Sequence, residues 1–315
     1  MRRGDCGPLR QLGYVALPAH NGTGGFDHAA VHTATGHVYV AHTANDAVDV
    51  FDPASGRHCF SIGNLIGVAG ILVSDESQLV ITSNRAENTI AVFAPEPAPQ
   101  VTKVAVGVHP NGLAYDPERR RVLVANVGHP AILGSHTLSV IDVDERAMLA
   151  SIGVPGRTRW AVHDPAAAAF YVNIAEPSQI AVVETRDAHR INRAFAVPAS
   201  GPHGLTLDLA SHRLFCACDA KTLVTLDARS GRVLDESVLS GVPDVVFFNP
   251  RLGHLYVAVG EPGVIDVFDT TTMQRLGSVT TEAGAHTLAF SPALDQVYAF
   301  LPKTARAALY QDGGC

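Results

Sequence analysis

One pattern recurs seven times along the chain. The segments AVDVFD, TIAVFA, TLSVID, QIAVVE, TLVTLD, VIDVFD and AALYQD share an apolar alternation closed by an acidic or small residue. Phe51, Phe93, Ile141, Val183, Leu226, Phe268 and Tyr310 occupy the equivalent position near the end of each segment. They are spaced by 42 residues, except for 48 before Ile141 and 43 before Leu226. A period near 42 restricts the chain to repeat architectures, in which no unit buries its apolar faces alone.

Each unit holds four short alternating runs bounded by Gly, Pro, Asn and Asp. In the first they are DHAAVH, HVYVAH, AVDVFD and HCFSIG. Alternation at period two means strands, and helical periodicity is absent. Four strands per unit at this period predict an all-β, seven-bladed β-propeller with antiparallel blades. The last unit supplies only HTLAF, QVYAF and AALYQ before the chain stops at Cys315. Its fourth strand is expected from LGYVALPA near the N-terminus, closing the ring. The expected division is one domain over 1–315, with a closing strand at about 11–19. Blades follow at about 24–64, 65–107, 108–154, 155–198, 199–240, 241–281 and 282–315. Cys6 and Cys315 flank the closure, and whether they pair is left open.

The second strands read VYVAH, LVITSN, VLVAN, FYVNI, LFCAC, LYVAV and VYAFL. With the strands that follow, such as NDAVDVFD and ENTIAVFA, they resemble the YVTN-repeat β-propellers. The opening GGFDHAAV is similar to the first blade of YncE-like members. The resemblance spans nearly the whole chain. It implies the propeller fold and leaves activity open: the family includes ligand-binding and structural members, and related propellers include lactonases, lyases and dehydrogenase subunits.

Composition narrows the partners. A net charge of −7, from 23 basic and 30 acidic residues, lacks the basic footprint of a nucleic-acid binder. No apolar run reaches the roughly 18 residues of a membrane span. The longest, Leu65 to Val73, is broken by Gly67 and Gly70. No apolar stretch follows the N-terminal basic residues, so a cytoplasmic location is expected. Five scattered cysteines make no disulfide framework. Cys216 and Cys218 share one face of a strand, as two small buried residues or as a thiol pair. No Gly-rich phosphate loop and no G-x-S-x-G elbow is present, so no nucleotide cofactor is expected.

Propellers bind ligands where the innermost strands enter the central channel. Aligning the seven innermost strands brings Asp27, Val68, Asn111, Arg159, His203, Asp244 and His286 to that mouth. Two imidazoles and two carboxylates on one arc, His203, His286, Asp27 and Asp244, suit general acid–base catalysis. His203, His286 and Asp244 equally suit one divalent metal ion. Arg159 and Asn111 face them, and a guanidinium there can clamp an anionic substrate. The opposing view is a polar, water-filled channel with no ligand. The third unit's insertion, NVGHPAILGSH, puts His129 and His136 on the same rim as further substrate contacts or as a solvated loop. The mouth therefore reads as an enzyme site of lactonase, lyase or isomerase type for a small polar or anionic molecule. The alternative is a non-catalytic module binding a ligand, a metal or a protein partner.

Trp160, the single tryptophan, is expected to alternate away from the channel and pack between blades. Four histidines crowd Gly24 to His42: His37 opens a strand, His32 ends one, His42 sits at the rim, and His28 turns away from the channel.

Overall fold

The computed structural model describes residues 7–313. Cys6 and Cys315, with their pairing, lie outside the described residues. Twenty-eight strands form seven four-stranded antiparallel sheets, and the one helical element among the described residues is a turn at Thr43–Asn45. No helix is long and apolar enough to cross a membrane.

Six sheets are made of consecutive strands. The seventh joins Arg10–Ala16 to Arg306–Gln311, Gln296–Leu301 and Thr287–Ser291. Val15 opposes Ala307 and Tyr14 opposes Ala308, so the N-terminal strand closes the ring as expected.

Seven apolar clusters hold the ring, one for each pair of neighbouring blades. Tyr39 and Val48 of blade 1 meet Leu65 and Ile71 of blade 2. Phe26 and Val38 of blade 1 meet Tyr298 and Phe300 of blade 7. The second-strand strings explain this. Their alternation sends consecutive residues to opposite faces, and both faces are covered. Tyr39, Tyr171, Phe215, Tyr256 and Tyr298 occupy one repeat position, all fully buried. Each such ring removed from water contributes about 2–3 kcal/mol.

The inner strands approach each other closely at glycine. A Cβ on Gly70 would lie 2.1 Å from the Asn111 carbonyl oxygen, and one on Gly112 would lie 2.3 Å from that of Arg159. Ser83 spans the first of these contacts. Its hydroxyl accepts from the Gly70 N–H and donates to the Asn111 carbonyl.

Candidate functional site

Six of the seven inner strands, those of blades 1 to 6, enter the channel through an irregularity. In blade 4, Thr158 opposes Ile174 and the next pair is Ala161 with Val172, so Arg159 and Trp160 together face one residue. The same break separates Pro110 from Leu113, Pro202 from Gly204 and Pro243 from Val246. In blade 1 the Asp27 N–H donates to Ala41 O while Ala41 N–H donates to His28 O. Such bulges re-aim side chains where a strand meets a site.

Register defines the ring as Asp27, Ala69, Asn111, Arg159, His203, Asp244 and His286, each two residues before an aligned inner-strand pair. The expectation of Val68 was one residue off: Val68 opposes Asn84 as Pro110 opposes Asn126. Blade 2 thus offers only the methyl of Ala69. Its charge comes from Arg85, just past the second strand, whose Nη2 is 3.2 Å from Asp27 Oδ2.

His203 lies between two carboxylates. Its Nδ1 is 2.7 Å from Asp219 Oδ1 and its Nε2 is 3.2 Å from Asp244 Oδ1. Arg159 Nη2 donates to the other Asp219 oxygen at 3.3 Å, and Arg159 Nη1 stands 3.1 Å from His203 Nε2. Burial opposes charging the ring. The Asp244 charge and the bonds to Asp219 and Asp244 outweigh it and raise the His203 pKa to about 9. For Asp244, burial pushes upward, but His203, then His286 and His28, hold its carboxyl well below the usual carboxylate range. At neutral pH two cations, His203 and Arg159, therefore face two anions, Asp219 and Asp244. Asn173 Nδ2 donates to the carbonyls of His203 and Gly204, fixing the backbone beneath the ring.

His286 is arranged differently. Its Nδ1 bonds the Gly284 carbonyl at 2.8 Å. The neutral ring must then carry its proton on Nδ1 and its lone pair on Nε2, which is 3.9 Å from Asp244 Oδ2.

Three buried polar atoms of this neighbourhood, Arg85 Nε, Asn111 Oδ1 and Arg159 Nε, have no hydrogen-bond partner. Unmet groups of this kind need an explanation, and a bound molecule or ordered water supplies one.

The three expected metal donors, His203, His286 and Asp244, are neighbours. A metal ligand needs a free nitrogen lone pair, whereas His203 directs both nitrogens at carboxylates. Among the described residues no group of three or more His, Cys, Asp or Glu is arranged to hold a metal ion.

His129 and His136 remain within the blade 3 insertion. His136 Nδ1 bonds Val127 O, Ala131 N–H donates to His129 Nδ1, and the His129 ring meets His109 edge-on at 5.6 Å. The loop tip, Ile132 and Leu133, is exposed.

Three expectations are corrected. His28 does not turn away: it lines the channel and stacks on Trp160, ring centroids 4.1 Å apart. Trp160 does pack against blade cores, yet it also faces the channel. The bulge is the reason for both, because it breaks the alternation. His42 is fully buried rather than at the rim, bonded to Asp49 and His20. Asp219, in the turn after its second strand, binds both His203 and Arg159. Asp219 and Arg85 were findable: each directly follows its second strand, and among the described residues of that aligned column only these two are charged.

No family model matches the chain, and no curated protein matches it in sequence. Among solved structures it is similar to a chain of Kuenenia stuttgartiensis hydrazine synthase, with a TM-score of 0.80 at 13% identity. The match covers 94% of this chain and 98% of that one. Likeness at that identity is likeness of fold.

Proposed function

We propose that the channel mouth binds a small molecule bearing carboxylate or carbonyl oxygens and takes a proton from it. The observation that supports this is the difference between two imidazoles of one ring. His203 is tied to carboxylates through both nitrogens and serves as a fixed cation. His286 gives Nδ1 to a backbone carbonyl and keeps Nε2 as a base. In this reading Nε2 removes the proton next to a carbonyl, and the electron pair moves onto the carbonyl oxygen. Arg159 and the His203 cation stabilise that charge, and Asn111 orients the substrate. Return of the proton gives an isomerase, and loss of a neighbouring leaving group gives a lyase. The same base could activate water against a lactone. Membership of the YVTN-repeat family rests on the second-strand strings and is compatible with each of these.

The test is exchange in heavy water. Carbonyl acids and lactones are incubated with the protein and followed by proton NMR. We expect deuterium at the activated carbon or product formation for at least one class. His286→Ala should reduce it a hundredfold or more with binding retained, and Arg159→Ala should weaken binding. Unchanged turnover in His286→Ala overturns the assignment.

A second reading, a non-catalytic binding module, has one observation in its favour. Arg85 with Asp27, and Arg159 and His203 with Asp219 and Asp244, already balance each other's charge. It predicts saturable binding with no exchange for any compound.

A further inference from the structure

The polar ring does not continue down the channel. Below it lies a cavity of about 310 Å³ along the inner strands, where the walls change character. Six rings line it: His28, Tyr115, Trp160, His163, Phe247 and Phe290. The rest of its lining is aliphatic, and no Asp, Glu, Lys or Arg is among it. The Trp160–His28 stack belongs to both levels, since Asp27 and Arg159, the residues before them, form part of the mouth.

We infer that this lower chamber is a second binding site, separate from the mouth, for an uncharged, single-ring aromatic molecule carrying a hydroxyl. The charge of the ligand follows from the walls, since an ion here would lose its hydration and meet no counter-charge. Both imidazoles agree with a neutral chamber. Burial lowers the pKa of His28 against the pull of Asp27, and lowers that of His163 against the pull of Asp116. The shape of the ligand follows from the rings, which offer edge and face contacts to another ring. The volume is at the lower end of the small-molecule range and ample for one ring with a substituent.

The hydroxyl follows from His163. Its side chain is more than nine-tenths buried, and its Nε2 has no hydrogen-bond partner, the nearest carboxylate oxygen being Asp116 Oδ2 at 3.8 Å. The Tyr115 hydroxyl is already bonded to Ser77. A phenolic O–H can donate or accept, so it satisfies either tautomer of the imidazole after a small ring rotation. A methyl group in its place leaves the nitrogen unmet. The inference does not depend on the chemistry proposed at the mouth.

Trp160 is the only tryptophan of the chain, so its emission is a single signal from the boundary of chamber and mouth, and the filling variants separate the two. The full-length protein is titrated with p-cresol, toluene and benzoate, exciting at the red edge of indole absorption. We expect a saturable change with p-cresol, an affinity at least fivefold weaker for toluene, and no benzoate response that Val162→Phe removes. Val162→Phe fills the chamber and should abolish the p-cresol response. Leu72→Phe is the second such variant, should the first fail to fold. His163→Phe should remove the preference for p-cresol over toluene. Absence of saturation with p-cresol overturns the site, as does a response that survives both filling variants. Benzoate binding as tight as p-cresol and equally lost in Val162→Phe overturns the assigned ligand class.

Discussion

Arg85 of blade 2 reaches across to Asp27 of blade 1, with Nη2 3.2 Å from Oδ2. This pair stands where Ala69 leaves blade 2 without a polar ring residue, and it touches a third group. His28 Nε2 is 3.4 Å from the other Asp27 oxygen. The Arg85 charge is one of the influences lowering the His28 pKa, after burial.

The first prediction follows from that arrangement. In Arg85→Ala that repulsive charge is gone while burial, Asp27, Asp244 and His203 act on His28 as before, so the His28 pKa should rise. Imidazole NMR titration measures it, with His28→Gln to assign the resonance. An unchanged or lower value means that the guanidinium does not act on this ring. The loss in stability should be modest, about 1 kcal/mol, because Arg85 is over a third exposed.

His203 makes stability depend on pH in a defined window. Its pKa is about 9 in the folded protein against an ordinary 6.5. Below pH 6.5 the folded and unfolded rings are both protonated, and the stabilisation is fully present. As pH rises from 6.5 to 9 only the folded ring keeps its proton, and the stabilisation shrinks until it is gone. Its ceiling is about 3 kcal/mol. Urea midpoints at pH 6, 7.5 and 9 should fall in the wild type, and fall less in His203→Gln. Parallel profiles for the two proteins contradict the assignment.

How far the chain could be read beforehand differs between fold and site. The blades were legible because strand alternation is local and a 42-residue period repeats it until no other fold remains. Ring membership was legible where the local string was regular, as in HPNGLA and GPHGLT around Asn111 and His203. It slipped at blade 2, where GVAGIL should be aligned on Gly70, the counterpart of Gly112 and Gly204; Ala69 then falls into place. Trp160 and His28 were misdirected because period-two reasoning assumes an unbroken strand, and both follow the first residue of a bulge. Asp219 and Arg85 escaped for another reason. Their partners, His203 and Asp27, are 16 and 58 residues away, and nothing in a turn's own composition tells which way its side chain leans.

Packing between blades gives a third prediction. Gly112→Ala places a methyl 2.3 Å from the Arg159 carbonyl oxygen, which belongs to the backbone of the next blade and cannot rotate away. The two inner strands must part, at a cost of about 1–3 kcal/mol. Gly153→Ala is the matched control, since nothing lies within 4 Å of the added carbon and the site is also in a strand. Urea denaturation should show a clear loss for the first and none for the second. Equal effects would mean that β-propensity, and not the close approach, sets the cost.

The last prediction concerns the closure of the ring. His20 lies on the segment between the closing strand and blade 1. Its Nε2 is 2.6 Å from the Pro302 carbonyl of blade 7, and its Nδ1 is 2.6 Å from His42 Nε2. His42 in turn bonds Asp49 Oδ2 through Nδ1 at 2.6 Å, and Ser61 donates to the other Asp49 oxygen. A chain of polar groups, buried at His42 and Asp49, therefore ties the two ends of the ring together. His20→Ala removes one end of the chain and leaves His42 Nε2, in a fully buried ring, without a partner. A buried nitrogen left unmet costs about 1–3 kcal/mol beyond the lost contact. His42→Leu alone should leave Asp49 Oδ2 unmet, with Ser61 still donating to Oδ1. Once His42 is gone, His20→Ala has no buried nitrogen left to orphan. The double variant should therefore be less destabilised than the sum of the singles, with a coupling of about 1–2 kcal/mol in a double-mutant cycle. Strict additivity would show that the 2.6 Å contact between the two imidazoles contributes nothing to holding the ring closed.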